Sequence, residues 1–207
     1  MLKKFLATLL IGTLAAVALT SCGDSKAAGV GQFATVYATA TSPGVPLDSD
    51  EATWVDATTQ SKAQACLATS VPHFASDDVN YSVTSTAWTS GNTGQTNPTS
   101  ASDLMIQKVI LTLTPDDSTT PALPAVYQTQ FLTSGIVVPA GSTVSVPVRI
   151  VSQELKTFLS NDLLCTGLMY KYRATVSFEA VEVNTNKVAT ITVPGFVLIR
   201  LTDFTDK

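Results

Sequence analysis

The chain has 207 residues, with 12 Lys or Arg against 16 Asp or Glu, one histidine and three cysteines. Its basic residues are scattered, which weighs against nucleic acid as a partner because that function needs Lys and Arg clustered to neutralise phosphates. The abundance of Thr, Ser, Val and Ala with only 14% charged residues suits β-structure more than a helical enzyme core.

At the N-terminus, Lys3 and Lys4 precede an apolar run over residues 5–19, which ends in Thr20, Ser21 and Cys22. That run is shorter than the roughly 20 residues needed to cross a bilayer, and its layout is that of a secretory signal. The segment Leu19-Thr20-Ser21-Cys22 resembles the lipobox of bacterial lipoprotein signals. The resemblance covers residues 1–22 alone. It implies that residues 1–21 are removed and that Cys22 becomes the lipidated first residue, a membrane anchor for the cell envelope. With Gly23 next, and no acidic residue there, it also implies the outer membrane in a diderm, facing the periplasm or the surface. Loss of Lys3 and Lys4 leaves 10 basic against 16 acidic residues, so the mature charge is −6.

Residues 23–31 are small, polar and aperiodic and complete, with Cys22, a flexible tether over 22–31. Fully extended at about 3.5 Å per residue, it holds the folded part of the chain within roughly 30 Å of the bilayer. Residues 32–207 are long enough for one domain with a real core.

Within that domain, alternation of Phe33, Thr35 and Tyr37 with Ala34, Val36 and Ala38 predicts a strand over 32–41. Ser42-Pro43-Gly44 breaks it, and Asp48, Asp50 and Glu51 read as an exposed loop. Thr53, Trp54 and Val55 form a short strand, and residues 57–68 read as a short helix or an irregular segment. Val79, Tyr81, Val83, Ser85 and Ala87 define a strand over 79–89. Residues 89–103 hold nothing more apolar than Ala101 and read as a mobile loop, because they bury too little to offset the entropy of ordering.

Residues 104–114 read as a central strand with Leu104, Ile106 and Ile110 on one side and Met105, Val109, Leu111 and Leu113 on the other. Strands are expected over 126–133, 136–138 and 143–151, the last an edge or bulged strand because Pro147 offers no ladder N–H. Residues 152–164 form the one short helix, capped by Ser152, with Leu155, Phe158 and Leu159 in its buried stripe. Residues 169–183 alternate over the longest span, and 184–187 turn the chain into a return strand over 188–201, kinked at Pro194-Gly195. This spacing indicates an all-β fold, an antiparallel β-sandwich of immunoglobulin-like kind.

With Cys22 lipidated, Cys66 and Cys165 remain as an even pair in an exported chain, and we expect a disulfide. It would close a loop of roughly 100 residues, which in the chain-entropy view stabilises by about 4–5 kcal/mol.

Chemistry-bearing motifs are sparse. The lone His73, between Pro72 and Phe74, builds no metal set, and no Gly-x-Ser-x-Gly elbow pins a serine beside it for a triad with Asp77. Redox Cys-x-x-Cys, phosphate-loop and dinucleotide patterns are lacking, so neither a cofactor nor a metal is expected. The acidic groups Asp48/Asp50/Glu51, Asp77/Asp78 and Asp116/Asp117 suit solvated turns better than a calcium loop. Tyr170, Tyr172 and Phe178 share a face with Val176 and read as core, whereas Trp88, beside the 89–103 run, is the candidate partner contact. The expected function is that of a membrane-anchored, non-catalytic lipoprotein that binds or scaffolds another envelope component, protein or glycan. Two alternatives stand beside it. One is an envelope enzyme acting on peptidoglycan or polysaccharide through carboxylates such as Asp77 or Asp116. The other is a structural subunit pairing through the edge strand that carries Pro147 or Pro194.

Overall fold

Period-two alternation builds strands along most of the described residues, which are 29–88 and 100–203 of a computed structural model. The lipobox, Cys22, most of the tether and most of the 89–103 run lie outside them. Twelve strands are formed: β1 (Gly31–Gln32), β2 (Val36–Thr41), β3 (Leu47–Asp50), β4 (Thr53–Asp56), β5 (Ser70–His73), β6 (Asp77–Ala87), β7 (Leu104–Pro115), β8 (Thr129–Val138), β9 (Thr143–Val151), β10 (Met169–Glu182), β11 (Val188–Thr192) and β12 (Val197–Thr202). Two helices, α1 (Ala125–Gln128) and α2 (Gln153–Leu163), complete the set among the described residues. The protein is therefore all-β, as its composition indicates.

The strands form a four-stranded sheet in the order β1-β2-β6-β9, a six-stranded sheet in the order β3-β12-β10-β7-β8 with β11 also on β10, and a separate β4-β5 pair. Inward residues of both larger sheets join one hydrophobic cluster. Val36, Ala38, Tyr81, Val83, Val146 and Val148 come from the first, and Ile106, Leu111, Leu113, Tyr172, Phe178 and Ile199 from the second. Tyr81 and Phe178 meet edge to face across it, 6.0 Å between ring centroids. Near β1 the two sheets come together: Thr192 N donates to Gly29 O at 3.2 Å, and a Cβ on Gly31 would fall 2.6 Å from Ile191.

Several expectations are corrected by the pairing. The strand expected over 32–41 is two, because the chain turns at Phe33, whose N–H donates to Val36 O at 3.0 Å. The acidic stretch 48–51 is no exposed loop: Leu47–Asp50 pairs in parallel with β12, so the sheet is not wholly antiparallel, and Glu51 is fully buried. Residues 57–68 contain turns and a bridge between Val55 and Lys62 but no helix.

In β7 the two expected faces merge. A register shift between Ile106 and Lys108 changes the phase, which places Leu104 and Ile106 on the buried side together with Val109, Leu111 and Leu113. The start of the strand expected at 126–133 is the helical turn α1, and β8 then runs unbroken through the expected gap to Val138.

Helix α2 begins where Ser152 accepts a hydrogen bond from Leu155 N at 3.2 Å. Its buried stripe is Leu155, Lys156, Leu159 and Leu163; Phe158 is 46% exposed, turned aside onto Tyr127 with 5.4 Å between rings. Residues four apart keep one face toward the sheets, which Phe158 leaves. The C-terminal hairpin is kinked as expected, with β12 pairing the first half of β10 and β11 the second.

Candidate functional site

Two charged cores and one bare edge are the features with chemical content. The first core lies where β3, α2, the β4-β5 pair and the end of β12 converge. Lys156 is buried because it stands on the inner face of α2, and its Nζ donates to Asp50 O at 2.5 Å and sits 2.9 Å from Asp77 Oδ2. Ser49 Oγ donates to the same Asp77 oxygen at 2.5 Å. Beside them the Glu51 carboxyl has no hydrogen-bond partner among the described residues. Burial pushes its pKa up to about 8; Lys156 pulls it down, and Asp203, Asp50 and Asp77 raise it further. Glu51 is thus a neutral acid at pH 7, which is how a carboxyl without donors is tolerated in a core.

Cys66 and Cys165 are joined in a disulfide beside this core. Asp203 ties the pair to the β4-β5 unit: its Oδ2 accepts from Cys165 N at 2.9 Å and its Oδ1 from Trp54 Nε1 at 3.2 Å. The two sulfurs and the Asp203 carboxylate lie within 4.8 Å of one another. Sulfurs bonded to each other provide no thiolates for a metal ion, so in the oxidised protein this cluster is a brace.

The second core is built on Glu182 at the end of β10. Its carboxylate accepts from Ala34 N at 2.9 Å, Thr35 N at 2.8 Å and Thr35 Oγ1 at 2.5 Å, and also from Thr185 Oγ1. Burial would raise its pKa, but the hydrogen bonds from Thr185, Thr35 and Ala34 outweigh this and hold it below the ordinary carboxylate value. The side chain fastens the β1–β2 turn to the β10–β11 turn, and nothing in the sequence sets it apart from Lys171, Arg173 and Glu179, the other charges of this alternating strand.

The bare edge is β8. It closes one end of the six-stranded sheet and pairs, among the described residues, with β7 alone. Its sequence from Thr129 to Val138 carries no charge and no proline. Phe131 is 65% exposed and Val137 47% on its outer side, while Leu132 and Ile136 are half-buried on the inner side. Between β8 and β9 lies a groove of about 550 Å³ lined by Val109, Leu132, Ile136 and Val148 and rimmed by Asp78 and Arg149. Those rim charges pair with each other at 3.7 Å.

The residues singled out from sequence are dispersed. Trp88 is half-buried, its ring 5.0 Å from Tyr37 and its Nε1 donating to Phe33 O at 3.3 Å. His73 is exposed at the end of β5, paired with Thr53. Asp48 pairs with Arg200, Asp78 with Arg149 and Asp116 with Arg173 at 2.5 Å. Asp117 caps its own turn through Thr119 and Thr120, which lowers its pKa to about 2. Asp77 and Asp116 share no partner among the described residues.

No protein-family model matches the chain, and no curated protein matches it.

Proposed function

We propose that this protein is a lipid-anchored, non-catalytic envelope lipoprotein whose mature chain is an immunoglobulin-like β-sandwich that binds or scaffolds another envelope component through β8. The bare edge of β8, flanked by a groove in which Val109, Leu132, Ile136 and Val148 lie among polar neighbours, carries the reading. A row of unpaired backbone groups beside alternating apolar side chains is the surface that an extended segment of another protein completes by adding a strand. Two sheets sharing one core support the sandwich, with the parallel β3 as its departure from the antiparallel pattern. The lipobox-like Leu19–Cys22 segment and the Cys66–Cys165 disulfide support export and anchoring. The enzyme reading has no observation of its own, since Asp77 and Asp116 each answer to a separate basic partner.

Detergent extraction of the protein from its own envelope, followed by affinity purification, tests the reading against the variant Thr129→Glu/Thr133→Glu. Wild type should bring down a stoichiometric envelope partner and carry an acyl chain on Cys22; the variant should keep the lipid and lose the partner. Absence of any stoichiometric partner, a second copy of this chain included, or a partner that the variant retains, would contradict binding through β8.

A further inference from the structure

Sheet edges invite pairing, and proteins blunt them with charge, proline, brevity or cover. Across the two larger sheets, every edge but one is so treated by the described residues. β1 has two residues; β3 has four, including Asp48 and Asp50; β9 carries Pro147 and Arg149; and the far side of β11 meets the backbone at Gly29. β8, ten residues long, has none of these devices over Thr129–Thr133 among the described residues, its register shift falling beyond, at Ser134 and Gly135. Of the strands expected to pair, β9 is an edge, as Pro147 indicates, but Pro147 and Arg149 blunt it, and Pro194 lies between β11 and β12, both of them on β10.

We infer that β8 pairs antiparallel with β8 of a second copy of this chain, joining two six-stranded sheets across a two-fold axis. The inference rests on the reading of β8 as the binding edge and names its occupant. An incoming strand has to be uncharged, to avoid placing an unpaired charge beside Leu132 and Ile136, and has to offer apolar side chains in turn with polar ones along each face. Thr129–Val138 carries no charge, and its faces run Thr129, Phe131, Thr133 on the outer side and Gln130, Leu132, Ser134, Ile136 on the inner, so the edge is complementary to its own copy. Pairing across a two-fold satisfies both bare edges at once, the isologous arrangement commonest among dimers. It also gives the half-buried Leu132 and Ile136 apolar neighbours from the partner at the open side of the groove.

The full lipidated chain, purified in detergent micelles at micromolar concentration, tests this by protein mass per particle from sedimentation or light scattering. Wild type and a control on the other edge, Thr143→Glu/Ser145→Glu, should contain two copies; Thr129→Glu/Thr133→Glu should contain one and still melt cooperatively, at a temperature that, unlike that of wild type, does not depend on protein concentration. One copy in wild type, or two in the β8 variant, would overturn the pairing. If wild type is single but still captures a different envelope protein through β8, the second copy is wrong and the binding reading stands. If it is single and captures nothing, both fall.

Discussion

The ammonium of Lys156, a residue 2% exposed, lies 2.9 Å from Oδ2 of Asp77 at the junction of α2 and β6. Among the described residues, Asp77 is the carboxylate that forms an ion pair with this buried charge, and its side chain reaches the solvent boundary. Removing one partner of a buried pair leaves the other uncompensated, at a cost of about 3–5 kcal/mol when both are buried. With Asp77 partly exposed, Asp77→Asn should cost about 2–3 kcal/mol in urea unfolding. A change smaller than about 0.5 kcal/mol, the scatter of an ordinary surface substitution, would mean that the Asp50 carbonyl alone satisfies Lys156.

Glu51 makes stability fall as pH rises. Its folded pKa of about 8 exceeds the ordinary 4.5, so between these values the folded state holds a proton that the unfolded state has released. Each pH unit in that window removes up to about 1.4 kcal/mol from this group's contribution, and above about pH 8 the loss levels off. Glu51→Gln should match wild type near pH 5 and exceed it clearly at about pH 8–9 in thermal melts. Identical wild-type and variant profiles at both values would show Glu51 to be ionised in the native protein.

Glu182 works in the opposite sense. Its folded pKa lies below 4.5, so its contribution is present above that value and is lost as pH falls through the folded pKa. Glu182→Gln replaces one accepting oxygen with an NH₂ that faces other donors. Hydrogen bonds to a charged group are worth about 1.5–3 kcal/mol each, so the variant should lose about 2–4 kcal/mol at pH 7 and show a flatter stability profile in acid. Fast amide exchange at Ala34 and Thr35 in the variant would locate the loss at this clasp.

The disulfide joins residues 99 apart in sequence and fastens the β4-β5 unit to the end of α2. Cys66→Ser/Cys165→Ser should lower stability by about 3–4 kcal/mol, since the bond closes a long loop in the unfolded chain. Native protein from the envelope should show no alkylatable thiol at Cys66 or Cys165 until it is reduced.

Alternation over 169–183 marks the central strand and its inward Tyr172, Val176 and Phe178, because β7 flanks β10 on one side and β12 and β11 on the other, and one face is buried from Tyr172 onward, with Tyr170 partly buried at its start. The pairing of Cys66 with Cys165 is legible from parity. The two faces of β7 are not, because a single register shift reverses every side chain beyond it, and composition carries no trace of such a shift. Lys156 is not in the stripe of Leu155, Phe158 and Leu159 expected from sequence; only the approach of β3 and β6 gives its charge the acceptors that allow burial. Ser134-Gly135 resembles a turn that would divide β8, yet the chain passes through it as part of one edge. The candidate binding surface is hidden in the sequence for a related reason: Pro147 marks β9 as an edge, as the structure has it, but no residue of Thr129–Val138 marks β8 as one, which only the pairing of its neighbours decides.

Binding through β8 is tested most directly inside the envelope by photocrosslinking, with benzoylphenylalanine placed at Thr133 on β8 or at Ser145 on β9. Position 133 should give a discrete adduct in the membrane fraction, at twice the monomer mass if the partner is a second copy, and position 145 should give none. A membrane-anchored protein that forms no adduct from 133, or forms the same adducts from both positions, would contradict binding at this edge.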